Sequence, residues 1–148
     1  MKKTALLALA VSLSVAAAGC IEFTQKTTGP SDELKALAGN WSADNIIPAA
    51  SSCTNFKWNV TELTGSTASG SFSATCAGNL KVEGTANGRL TGSVIDWSAD
   101  GTATAPDLPA CNIHLEGTAT LKDDVIEVPY TGRTCLGDVS GTQILRRH

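Results

Sequence analysis

The sequence predicts an all-β protein in which an antiparallel up-and-down meander closes into a small barrel of eight strands. Gly, Thr, Ser and Ala are abundant and aromatic residues make up 5% of the chain, a composition that favours short strands and tight turns. From Trp41 onward, apolar residues alternate with polar ones, as in strands with one buried face. Short strands connected in sequence favour a meander, and closing it removes the exposed edges.

The first 19 residues have the features of a secretory signal peptide. Lys2 and Lys3 form a charged start, and residues 4–16 form an apolar stretch that is too short to span a membrane as a helix. The residues just before Cys20 are small, as a signal peptidase groove requires.

The residues around Cys20 resemble the lipobox of bacterial lipoproteins, with Ala18 and Gly19 before the cysteine. The resemblance implies cleavage between Gly19 and Cys20, a diacylglycerol on the cysteine sulfur and acylation of the new amino group. The sequence departs from the family at Ala17, where leucine is more common. Ile21 implies the outer membrane, facing the periplasm or exposed at the surface. The alternative is an ordinary cleaved signal, with Cys20 lost or left as a free thiol.

Length and charge limit what the mature chain can be. Removing the 19 signal residues from 148 leaves 129, which suits a single domain. Taking two signal lysines from the 11 basic side chains leaves 9 against 14 acidic ones, a net charge of −5. The charges are scattered and form no basic patch, so nucleic acid is not expected as a partner.

The mature chain begins with a predicted tether over residues 20–30, which are polar and rich in threonine. The domain that follows, residues 31–148, starts with a predicted short helix over 31–39. Ser31 is placed to cap the first amides, acidic residues suit the positive helix start, and Gly39 suits the end.

The strands are predicted from uninterrupted alternation, as where Phe56, Trp58 and Val60 alternate with polar neighbours. Eight strands are predicted, over about 41–47, 55–63, 70–76, 79–86, 89–97, 112–121, 125–131 and 138–146. Residues 102–105 are a candidate ninth strand. Turns are indicated at Thr64-Gly65, Asn87-Gly88, Asp100-Gly101 and Lys122-Asp123-Asp124. Asn87-Gly88 is the strongest of these signals, because both residues suit a type I′ hairpin.

The chain contains a candidate internal repeat, since Trp41-Ser42-Ala43-Asp44 recurs as Trp97-Ser98-Ala99-Asp100. Each copy is followed by a cysteine and then by a second cysteine 23 or 24 residues later. Chance similarity in a chain rich in Thr, Ser and Ala is the alternative explanation.

Four cysteines after Cys20 form an even set in an exported protein, which predicts two disulfides and a disulfide-braced domain. The repeat favours one of the three possible pairings, namely Cys53–Cys76 and Cys111–Cys135. Cys53 has outward parity and Cys76 inward parity, so their bond requires loop positions or a bulge. No Cys-x-x-Cys occurs and the compartment is oxidising, which disfavours a zinc site.

Four aromatic residues of inward parity are the candidate ligand-binding residues: Phe56, Trp58, Phe72 and Tyr130. Small residues are predicted on the same inner surface: Gly84, Ala86, Gly92 and Gly117. Such a mixture either leaves a cavity for a ligand or lets rings and glycines interlock and fill a narrow barrel. We favour the filled barrel.

The start of the predicted barrel resembles that of lipocalins, in which a short helix leads into a Gly-x-Trp motif, here Gly39-Asn40-Trp41. In that family an arginine of the last strand covers the tryptophan, and Arg146 or Arg147 is placed to do so. Residues 37–41 also look like the opening of avidin-type barrels. The second lipocalin signature and the tryptophan-rich biotin box are absent, so biotin binding is not implied. This resemblance to calycin barrels implies a small apolar ligand inside.

No catalytic set is recognisable in the sequence, so we do not expect an enzyme. No Gly-x-Ser-x-Gly occurs, and the one histidine within a predicted strand, His114, has Glu116 beside it on what we interpret as a solvated face. One histidine and one carboxylate are too little for a metal, and no cofactor is expected.

The expected function is that of a non-catalytic lipoprotein of the bacterial envelope, with the membrane as a partner through acylated Cys20. The leading predicted role is to bind a small apolar ligand inside the barrel. One rival is a protein-interaction module, such as a lysozyme or protease inhibitor, with residues 46–53 and 105–111 as candidate contact loops. The other is a structural surface lipoprotein.

Overall fold

The computed structural model describes residues 29–43 and 49–148 and confirms the all-β prediction. The predicted signal peptide, Cys20 and most of the predicted tether lie outside the described residues. The described chain forms one helical turn and eight strands: α1 (Asp32–Lys35), β1 (Gly39–Ser42), β2 (Cys53–Thr64), β3 (Thr67–Cys76), β4 (Leu80–Thr91), β5 (Val94–Ala105), β6 (Leu108–Lys122), β7 (Val125–Thr134) and β8 (Gly137–Arg147).

The strands follow one another around the sheet in chain order. Because β1 pairs with both β2 and β8, the antiparallel sheet closes into a barrel. The prediction of an eight-stranded meander is confirmed. The candidate ninth strand is wrong, because residues 102–105 form the last part of β5.

Two of the predicted turns are wrong, because Asn87-Gly88 and Asp100-Gly101 lie inside β4 and β5. A Cβ atom at Gly88 would lie 2.8 Å from Ile95 Cγ2 and 3.3 Å from Trp58 Cη2. This glycine therefore makes room for neighbouring side chains instead of reversing the chain.

The reversal between β4 and β5 occurs at Gly92, which has a φ of +61° and is exposed. The prediction that Gly92 faces inward is therefore wrong. The turn signals at Thr64-Gly65 and Lys122-Asp123-Asp124 are confirmed, with positive φ at Gly65 and Asp123.

The barrel has two different ends. The helix end carries α1 and the turns at residues 65–66, 92–93 and 123–124. The disulfide end carries residues 49–52 and the turns at 77–79, 106–107 and 135–136. Both disulfides lie at this second end, and their pairing is the one that the repeat favours: Cys53–Cys76 and Cys111–Cys135.

A bulge in β2 resolves the conflict of parity between Cys53 and Cys76. The register of β2 against β3 shifts between Thr54 and Lys57, and Asn55 has a φ of +56°. The extra residue reverses the side-chain alternation, so Cys53 lies directly opposite Cys76 and both are buried.

The helix end is closed by packing around Trp41. Ser31 caps α1 by accepting a hydrogen bond from Leu34 N at 3.1 Å, and Leu34 and Leu37 are fully buried. The Trp41 indole donates to the carbonyl oxygen of Leu37 at 2.9 Å.

Arg147, rather than Arg146, covers this tryptophan, with its guanidinium carbon 4.5 Å from the centre of the Trp41 ring. The same guanidinium donates to the carbonyl oxygens of Ala38, at 2.8 Å, and Ala36, and Nε donates to Asp124 at 3.0 Å. One side chain therefore joins α1, β1, β8 and the β6–β7 turn.

Replacing Arg147 with methionine tests this junction. We expect Arg147→Met to lower the free energy of unfolding by about 2–3 kcal/mol, because a cation–π contact and several charge-assisted hydrogen bonds are lost. Arg146→Met is the matched control, since Arg146 is exposed and its loss should change stability by less than about 0.5 kcal/mol. Urea unfolding followed by tryptophan fluorescence measures both, and equal effects of the two substitutions would contradict the assignment.

Candidate functional site

The interior of the barrel is nearly filled. Phe56, Trp58 and Phe72, three of the four predicted ligand-binding residues, line a cavity of about 30 Å³ together with small and aliphatic side chains. This volume has room for about one or two water molecules, whereas pockets for drug-sized ligands usually measure about 300–1,000 Å³. The Phe56 and Phe72 rings pack with their centres 5.5 Å apart.

Tyr130, the fourth predicted residue, is buried but lies outside the lining of this cavity. Its hydroxyl donates to the carbonyl oxygen of Cys53 at 2.9 Å and accepts from the Cys53 amide, while Gln143 Nε2 donates to the same carbonyl at 3.1 Å. Burial raises the pKa of the Tyr130 phenol, and the hydrogen bond to Cys53 opposes that shift.

These contacts give Tyr130 a structural role. β1 pairs with residues 57–60 of β2 and with residues 146–147 of β8. It is too short to reach the disulfide end, so β2 and β8 are not separated by β1 there. Tyr130 and Gln143 reach across from β7 and β8 to the first residue of β2 and close the barrel there.

Sequence reasoning missed Trp97, which lines the same cavity as Trp58. Its parity is that of Ile95 and Ala99, both of which are buried, and it is the counterpart of Trp41 in the candidate repeat. Either signal would have placed it inside the barrel.

The disulfide end presents exposed apolar residues on two neighbouring turns. β6 pairs with β7 from His114 onward, so its first residues extend beyond this neighbour and form a hairpin tip with the end of β5. The Cys111–Cys135 bond ties this tip to the β7–β8 turn. We define the rim patch as five exposed apolar residues of these two turns: Pro106, Leu108, Pro109, Ala110 and Leu136.

Two of the four large hydrophobic side chains that are exposed in the described chain belong to the rim patch. They are Leu108, 43% exposed, and Leu136, 50% exposed; Val94 and Ile144 lie elsewhere on the barrel wall. Asp107 is the one charged residue in segments 105–111 and 134–137. The helix end is richer in charge: Asp32, Glu33, Lys35, Asp123, Asp124, Arg146 and Arg147.

Residues 49–52, the described part of the other candidate contact loop, also lie at the disulfide end. The carbonyl oxygen of Ser51 accepts a hydrogen bond from Ser140 N at 2.9 Å. The carbonyl oxygen of Ser52 accepts one from Ala77 N at 3.0 Å. Residues 49–53 and 105–111 are therefore presented on one end of the barrel, each segment containing a disulfide cysteine.

His114 lies on the outer wall, as the sequence predicts. Its Nδ1 is 2.7 Å from Asp100 Oδ1 and its Nε2 is 3.6 Å from Glu116 Oε2. The hydrogen bond to Asp100 raises the pKa of His114, and partial burial opposes this shift. Among residues 29–43 and 49–148, no group of three or more His, Cys, Asp or Glu side chains is arranged to hold a metal ion.

Comparison of the chain with protein-family models, curated proteins and solved structures found no match. Within the part of the chain that the structure describes, no helix has the length and apolar character needed to cross a membrane.

Proposed function

We propose that this protein is a lipid-anchored interaction module of the bacterial envelope, which recognises a protein partner through the rim patch. The observation that carries the proposal is the placement of exposed Leu108 and two prolines on a hairpin tip, which a disulfide ties to the turn that carries exposed Leu136. Exposed apolar surface with few charges is typical of the centre of a protein interface. A braced tip also loses little conformational freedom on binding.

The filled interior favours this function over the small apolar ligand that the calycin resemblance implies. A cavity of about 30 Å³ does not accommodate a ligand of several carbon atoms without rearrangement of the core. A protruding tip instead suits a concave partner such as an enzyme cleft, in line with the predicted inhibitor-type alternative.

The predicted anchor is compatible with this arrangement. The chain enters the barrel through α1 at the helix end, whereas the rim patch lies at the opposite end. Strands of 10 to 15 residues separate the two ends by roughly 30 Å. A chain anchored through Cys20 would then present the rim patch away from its membrane.

Replacing Cys20 with alanine tests the anchor. We expect the wild-type protein to incorporate a labelled fatty acid and to stay with the membranes, because several acyl chains give durable attachment. Cys20→Ala should lose the label and the attachment, whereas a variant without the Cys111–Cys135 pair should keep both. Absence of label from the wild-type protein would contradict lipidation.

Photo-crosslinking tests the rim patch. A photoactivatable residue at Leu108 or Leu136 in the producing cell should form an adduct with one and the same partner protein. The matched positions Val94 and Ile144 are similarly exposed but lie outside the rim patch, and they should not form this adduct.

The affinity of the captured partner provides the second measurement. Leu108→Ser with Leu136→Ser should weaken binding of the purified partner by about tenfold or more, since each leucine loses apolar contact area. Val94→Ser with Ile144→Ser should leave the affinity unchanged. Equal crosslinking from all four positions, or none from the rim patch, would contradict the proposed function.

A further inference from the structure

The two disulfides differ in their exposure. Cys53 and Cys76 are both 0% exposed, whereas Cys135 is exposed and Cys111 is partly exposed. The two bonds close loops of almost equal length, with sequence separations of 23 and 24, so they restrict the unfolded chain to a similar extent. What distinguishes the two disulfides therefore lies in the folded protein.

The buried disulfide lies within continuous strand pairing. Cys53 is directly opposite Cys76 in the β2–β3 ladder, and Cys76 is paired in turn with Leu80 of β4. The carbonyl oxygen of Cys53 also accepts hydrogen bonds from Tyr130 and Gln143. The segments on either side of this disulfide are therefore held together by other contacts as well, and its cysteines are covered.

The exposed disulfide joins two elements beyond the end of their strand pairing. The ladder between β6 and β7 has its last pair at His114 and Arg133. Cys111 precedes His114 on β6, and Cys135 follows β7 in the β7–β8 turn, with 6.0 Å between the two Cα atoms. The bond therefore takes over where the ladder stops.

Each of these two elements also has hydrogen bonds or pairing of its own. In the β7–β8 turn, the Thr134 hydroxyl donates to the carbonyl oxygen of Gly137 at 3.0 Å and accepts from Leu136 N at 3.1 Å. On the hairpin tip, Cys111 is paired with Ala103 of β5. Breaking the exposed disulfide should therefore leave both elements folded while it releases one from the other.

We propose that Cys111–Cys135 is a thiol-exchange site, at which a dithiol reductant separates the two turns of the rim patch. A thiolate of the reductant attacks Sγ of the more exposed Cys135, forms a mixed disulfide and displaces Cys111 as a thiolate, which takes up a proton. The second thiolate of the reductant then displaces Cys135, which is protonated in turn. The protein gains two electrons and two protons, and the reductant leaves as its own disulfide.

The exchange would control recognition, a step that rests on the proposed function. Leu108 lies on one side of the bond and Leu136 on the other. While the bond is intact, the two leucines form one braced surface. After reduction the two turns move independently, and a partner must order both of them on binding. The oxidised form is therefore the binding form.

Graded reduction of the purified wild-type protein tests the exchange site without a partner. The oxidised protein is treated with dithiothreitol, its thiols are trapped with N-ethylmaleimide, and the labelled peptides are identified by mass spectrometry. We expect Cys111 and Cys135 to be labelled together, about tenfold or more faster than Cys53 and Cys76. In urea that unfolds the protein this difference should disappear, because the two loops are nearly equal in length.

Two labelling results would overturn the exchange site. One is labelling of Cys53 and Cys76 first, or of all four cysteines at one rate, in the folded protein. The other is a difference that persists unchanged in urea, because exposure in the fold would then not be its cause.

NMR relaxation of the backbone amides tests whether the two turns separate. On selective reduction, the heteronuclear NOE should fall for residues 106–110 and 135–137, whereas it should stay constant in β2 and β3. Cys111→Ser with Cys135→Ser should reproduce this pattern without reductant. Unchanged values in both turns would contradict the release.

Affinity for the captured partner tests the control of recognition. Reduction should weaken binding by the wild-type protein about tenfold, to the level of Cys111→Ser with Cys135→Ser, and that variant should not respond to dithiothreitol. Equal affinity of the oxidised and reduced protein would overturn this control while leaving the proposed function intact. Failure to capture any partner would instead count against the proposed function, and the labelling and NMR results would still decide the exchange site.

Discussion

The contact of Arg147 with Trp41 is the one on which the closed barrel depends. β1 is four residues long, and it joins β8 through two residue pairs, so few ladder hydrogen bonds hold this seam. The guanidinium adds hydrogen bonds to the end of α1 and to Asp124 while it covers the indole ring. Without this junction, β1 and β8 would become free edges, which sheet proteins avoid.

The disulfide end of the same seam is closed by different contacts. Tyr130 and Gln143 hold the start of β2, and the Cys53–Cys76 bond ties β2 to β3. Both disulfides thus stabilise the end that carries few charges and the exposed apolar rim patch. Recognition through the disulfide end remains the proposed function.

The number of strands and the disulfide pairing could be predicted, because alternation and repeat spacing can be read directly from the sequence. The arginine over Trp41 was expected from the resemblance to lipocalins. The hairpin at Asn87-Gly88 could not be judged correctly, because Gly88 is required by contacts with Trp58 and Ile95 from other strands. The bulge at Asn55 also depends on contacts across the barrel. Residues 106–110 of the rim patch were predicted as a contact loop, whereas Leu136 was not. The exposure of the hairpin tip follows from the length of β6 beyond β7.

We propose that the protein is held at its helix end and recognises its partner at its disulfide end. Energy transfer to an acceptor dye in the lipid headgroups tests this claim directly, with a donor dye attached at Ser66 or at Asn79 of the lipidated protein on vesicles. Both positions are exposed and lie on turns at opposite ends. We expect more efficient transfer from Ser66 than from Asn79. Equal transfer from both positions, or more from Asn79, would contradict it.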